Sequence, residues 1–165
     1  MDCMTEPGCN LCCKLIGVKP IQKPAYRMCA HACKGSGCGI YEDRPDDCKT
    51  FECLWLQTQR LDDPMIAAFK PSVCGAIMVP AENDRALVIH VNDGVDWRAG
   101  KLGTFVKKMS YRITIIIRHR YSLWVISENR VVGEDRRFGV GQEDNDIVRF
   151  EVDRLPIRSR RIAVP

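Results

Sequence analysis

With 165 residues, 45% hydrophobic and 28% charged, the chain has room for one domain, or one domain with a small module, and its composition is that of an ordinary globular protein. The net charge is a modest +4, and the longest apolar run, "ITIII" at 113–117, is far too short to span a bilayer, which excludes a helical membrane protein. The anomaly is ten cysteines, nine of them between Cys3 and Cys53, with Cys74 the tenth.

That crowding divides the chain into a cysteine-cluster segment, 1–57, and a conventional apolar remainder, 58–165, expected to pack together as one compact unit. The N-terminus, "MDCMTEPGCN", carries an acid where a secretory signal would be basic, and no apolar run follows. A reducing, cytoplasmic location is therefore expected. Spaced cysteines there point to metal or redox chemistry rather than to disulfides.

In chain order, residues 1–40 have little periodicity. Pro20 and Pro24 disfavour a continuous helix, and "GSG" at 35–37 marks a turn. So few apolar residues cannot bury much of a core, and bound metal would have to supply the missing folding free energy. "YEDRPDDCKTFECLWLQTQR" reads as one helix with Asp43 as N-cap, Pro45 in the first turn, and Asp46 and Asp47 complementing the dipole. On such a helix Cys48 and Cys53 would point about 140° apart and could not chelate one ion side by side. "LDDPMIAAFKP" suggests a further short helix. "CGAIMVP" and "RALVIHVND" read as paired strands.

"VDWRAGKLGTFVKKMS" predicts an amphipathic helix with Trp97, Leu102, Phe105, Val106 and Met109 on one face. "YRITIIIRH" and "SLWVISEN" predict an antiparallel hairpin, and "RVVG" a short third strand. "GEDRRFGVGQEDND" reads as a polar loop, "DIVRFEVDRL" as a last strand, and the tail with Arg158, Arg160 and Arg161 as solvated surface. The expected fold class is α+β: an irregular, metal-stapled, Cys-rich N-terminal segment with a short helix, then a mostly antiparallel sheet packed with one or two helices.

The candidate ligands are Cys9, Cys12, Cys13, Cys29, Cys33, Cys38, Cys48 and Cys53, with His31 able to replace one of them. Cys9 and Cys12 have the two-residue gap that brings two thiolates to one ion from a tight turn. Eight thiolates would fill two tetrahedral sites. Cys12 and Cys13, if extended, would point to opposite sides and serve separate ions. Cys3 and Cys74 read as free thiols, and His90 and His119 as ordinary strand residues.

The pattern "CNLCC…CAHAC…GCGIYEDRPDDCKTFECLWL" resembles the YkgJ family of zinc- or iron-chelating cysteine-cluster domains, over about residues 9–57. The specific block is Cys38, Ile40, Tyr41, Arg44, Pro45 and Cys48, with the twin cysteines matched by Cys12 and Cys13. Many members carry a further cysteine shortly before the one matching Cys9; here the nearest is the more distant Cys3. The resemblance implies metal binding and no particular reaction. It also favours a role for Arg44 beside the thiolates, as a cofactor-binding group, over a surface ion pair with Glu42, Asp43 or Asp46.

Zinc, one or two ions, is the expected cofactor, because the spacing follows neither ferredoxin pattern; an iron–sulfur cluster is the alternative. Residues 1–57 carry seven basic and seven acidic side chains. A divalent ion on four thiolates is a −2 unit, so one such unit lowers the net charge to about +2 and two lower it to about zero. That argues against a nucleic-acid partner, although a small nucleic-acid-binding zinc protein stays open as a further alternative; a protein partner would dock on the scaffold. No nucleophile–base arrangement is legible, so no catalytic residue is assigned.

Overall fold

The computed structural model describes residues 9–33, 37–58, 68–81, 85–120 and 122–135. Helix α1 (Leu11–Leu15) and a single 3-10 turn (Lys19–Ile21) lead into a two-stranded hairpin, β1 (Ala32–Cys33) and β2 (Gly37–Cys38). Helices α2 (Asp46–Thr50), α3 (Leu54–Thr58) and α4 (Pro71–Cys74) follow. The rest is a five-stranded sheet, β3 (Ala76–Pro80), β4 (Ala86–Val91), β5 (Thr114–His119), β6 (Ser122–Ser127) and β7 (Arg130–Asp135), with α5 (Gly100–Met109) between β4 and β5. Among the described residues no helix is long and apolar enough to cross a membrane.

The strands lie in sequence order and all but one pairing is antiparallel. The exception is β4 with β5, parallel in register from Ala86–Thr114 to His90–Arg118. Parallel neighbours need a crossover, which α5 provides. Strands covered on both faces read as continuous apolar runs, and "ALVIHV" and "TIII" are such runs: every residue of both is buried. Glu128 and Asn129, both at positive φ, form the two-residue turn that matches strand twist between β6 and β7.

Alternation along the strands assigns the two faces. Ala76, Met78, Leu87, Ile89, Val91, Ile115, Ile117 and Ile126 pack with Trp97, Leu102 and Val106 on the α5 side. On the other face Ile77 packs with Leu15, Cys53 and Trp55, so the cysteine-rich segment docks against β3. His90 and Arg118 lie in the same cross-strand row as Ile77. The Tyr26 hydroxyl reaches across to donate to the Arg118 carbonyl at 2.8 Å. Burial, together with the Arg118 charge, drives the His90 pKa down to about 3, so this imidazole is a neutral core group.

The paired strands 76–80 and 86–91, the 114–127 hairpin and the third strand after it agree with the sequence reading. Four details differ. The helix expected through "YEDRPDDCKTFECLWLQTQR" is two helices, because Phe51 is extended (φ −70°, ψ 117°) and Pro45, not Asp43, is the N-cap residue. Trp97 joins the α5 core from the loop before the helix. β7 runs past the expected "RVVG" into the segment read as a polar loop, taking in Glu134 and Asp135. Cys12 and Cys13 lie in a helical turn and are not extended. The "LDDPMIAAFKP" helix falls mainly outside the described residues; so do Cys3, the last predicted strand and the arginines of the tail.

Gly103 allows α5 to sit against the preceding loop: a Cβ there would run into the Arg98 backbone. Gly103→Ala should therefore destabilise by about 2–3 kcal/mol, overpacking outweighing the roughly 1 kcal/mol gain in helix propensity. Chemical denaturation checks this; stabilisation, as at an open helical site, would show the loop yields.

Candidate metal centre

Two local devices build the site. The first is α1. Leu11 and Leu15, four apart, both pack in the cluster around Trp55 and Ile77, with Cys12 at its edge, and this anchors the helix that carries Cys12 and Cys13. The second is backbone pairing within the loops. The Cys29 N–H donates to the Cys13 carbonyl at 2.9 Å, and Gly39 N–H to the His31 carbonyl at 2.7 Å. The β1–β2 hairpin places Cys38 opposite Ala32, and Asn10 Nδ2 ties it to the start of α1 through the Cys33 carbonyl.

These elements enclose a cavity of about 240 Å³ lined by Cys9, Cys12, Cys13, Cys29, Cys38 and Cys48, with His31, Lys23 and Arg44 also on its wall. A second cavity of about 110 Å³ is lined by Cys9, Cys12, Cys48 and Cys53, and again by Arg44. The break at Phe51 separates Cys48, on both walls, from Cys53, which lines the second cavity but not the first. Cys33 is exposed, lies on neither wall, and points its thiol at the His31 carbonyl (3.9 Å). Cys74 faces the Phe69 and Ala76 carbonyls at 3.5 and 3.4 Å, as a protonated thiol would. Among the described residues no cysteine pair forms a disulfide.

The sulfurs stand apart. Among the described residues no three His, Cys, Asp or Glu side chains close on one point as an ion requires. The donor chemistry nevertheless suits a thiophilic metal: seven thiols on two adjoining walls, with two cations beside them. No family model matches the chain, and no curated protein or solved structure matches it either.

Charge at the site is uneven. A hydrogen bond from Cys12, aided by the Lys23 and Arg44 charges, lowers the Cys13 pKa to about 7. Burial raises Cys48, and negative charge on Cys13, Cys29 and Cys38 raises it further. Burial also raises Cys53. The Cys13 thiol is thus prepared to ionise near neutral pH, while burial favours the protonated form of Cys48 and Cys53.

Lys23 has no motif to announce it. It is buried, and its ammonium is held by the carbonyls of Lys14, Ile16 and Pro24. Arg44 lies 3.7 Å over the Tyr41 ring. Among the described residues it forms no ion pair with Glu42, Asp43 or Asp46.

Asp93 was equally hidden. It accepts Lys14 Nζ at 3.0 Å and takes Arg120 bidentately, Nε at 2.6 Å and Nη2 at 2.9 Å, with His119 Nε2 at 3.3 Å. Lys14 directly follows Cys13, so this knot ties the thiol helix to two loops at one end of the sheet. The Arg120 and Lys14 hydrogen bonds hold the Asp93 carboxyl well below the usual carboxylate range. A depressed folded-state pKa contributes stability above the unfolded value, about 3.9, which is lost as pH falls below it. Asp93→Asn should lower stability by about 1 kcal/mol at pH 7, with the partial exposure keeping the effect small, and flatten the acid limb below about pH 4. Urea midpoints from pH 7 to pH 3 check it; parallel acid limbs would refute the assignment.

Proposed function

We propose that this is a metal-binding protein of the cysteine-cluster type, with zinc as the ion, in a structural or metal-handling role. The observation that carries the reading is that six thiols, from four separate stretches of chain, line one cavity. A tetrathiolate zinc site needs donors of this kind and no other reagent. The likeness of residues 9–57 to the YkgJ motif supports the same reading. In it the metal staples the front segment to β3, and the α+β layer serves as scaffold or as a surface for a protein partner.

One observation favours a second reading. A cavity of about 240 Å³ is wider than a lone ion, and thiolates also hold iron–sulfur clusters. The protein would then be a redox or accessory enzyme component. Anaerobic purification followed by elemental analysis separates the two. Zinc without iron, in a colourless protein whose front segment loosens with chelator, supports the first. Iron with acid-labile sulfide supports the second. Neither metal, with the front segment compact, defeats both.

A further inference from the structure

We propose that a second copy of this chain pairs with β7, strand to strand and antiparallel, about a twofold axis at Val132. β7 is the last strand of the five, and among the described residues no strand lies beyond it. An edge strand presents a row of N–H and C=O groups to a further strand. At the other edge, β3 already carries the front segment through Ile77. The β7 end of the sheet is also apolar. Among the described residues five large hydrophobic side chains are exposed, and three belong to this region: Val131 (50%), Val132 (47%) and Tyr111 (59%). The turn leading into β7 is tied to the residue before Tyr111, because Glu128 N–H donates to the Ser110 carbonyl at 2.7 Å and Asn129 N–H to Ser110 Oγ at 3.0 Å. A bulge inserts Val132 between the residues paired with Val125 and Ile126, so two adjacent valines stay half-exposed at the edge.

The order of side chains along β7 selects the occupant. Arg130 and Glu134 are both exposed and lie two residues either side of Val132. Antiparallel pairing centred there sets Arg130 opposite Glu134 of the second copy, and Glu134 opposite Arg130 of the second copy. Val132 meets its own counterpart between them. Opposite charges facing each other across a ladder are favourable, and like charges are not. Parallel pairing in register would set Arg130 on Arg130 and Glu134 on Glu134. The Trp124 indole N–H donates to Glu134 Oε1 at 2.9 Å, which holds that carboxylate at the edge. An unrelated strand would have to reproduce this charge order, whereas a second copy supplies it by symmetry. The surface is small, so the association should be weak, with a dissociation constant of about micromolar or above.

Sedimentation velocity of the full chain, as purified and under reductant to prevent disulfides between copies, tests this from micromolar to millimolar protein. The expected result is a monomer–dimer equilibrium that shifts with concentration. Arg130→Glu sets like charges across the axis twice and should weaken the dimer by about tenfold. Adding Glu134→Arg to it exchanges the two charges and should restore the dimer. Val132→Lys should abolish it. Metal content should be the same in every variant, so the outcome is independent of the zinc reading. A monomer at every concentration would overturn the pairing, as would a dimer indifferent to Arg130→Glu or one that the charge exchange fails to restore.

Discussion

On the zinc reading proposed above, replacing Cys13 with Ser should lower the metal content and loosen the front segment. Structural zinc contributes about 10–16 kcal/mol of apparent free energy to small thiolate domains, more than the whole stability of most folds. The Cys13 pKa is lowered to about 7, which favours the thiolate that a metal binds. Its backbone also holds Cys29 through the 2.9 Å hydrogen bond to its carbonyl. A serine keeps that backbone contact and loses only the thiolate, so the effect reports ligation. Metal content and protease sensitivity of residues 9–58 should change together, with Cys74→Ser as the unaffected control. Full metal content in the serine variant would remove Cys13 from the site.

The second large effect is expected at Leu15. Its side chain is fully buried between Cys53, Trp55 and Ile77, and it joins the thiol helix to β3. Leu15→Ala should cost about 2–5 kcal/mol, the lost transfer energy plus the cavity left behind. Because the contact spans both parts of the chain, thermal unfolding should stay a single transition and move down by several degrees. Two separate transitions would show that the front segment and the sheet are independent units.

The strands were legible because "ALVIHV", "TIIIRH" and "SLWVIS" carry unbroken apolar or β-branched runs bounded by turn residues, and such runs have few alternatives. The thiols were legible for another reason: so many cysteines in so little core demand an explanation. The break at Phe51 was not. Helical spacing of Phe51, Leu54 and Trp55 read as one stripe, yet docking onto β3 reoriented the second half; local pattern gave way to tertiary packing. Lys23 and Asp93 were hidden because their roles come from partners that no spacing rule reaches. Lys23 sits among carbonyls of its own loop, and Asp93 meets a lysine 79 residues away. The division of sulfurs between two walls was equally out of reach, since it depends on where the loops close.

The long reach of those contacts has a consequence for synthesis. Lys14 finds its acceptor 79 residues downstream, and Tyr26 finds the Arg118 carbonyl 92 residues downstream. At about 5–20 residues per second, the thiols leave the ribosome many seconds before the strands that anchor them. Throughout that interval the nascent chain carries its sulfurs unshielded by the sheet. Early capture of a cation would then order the emerging segment and protect it from oxidation until β5 arrives to lock it down.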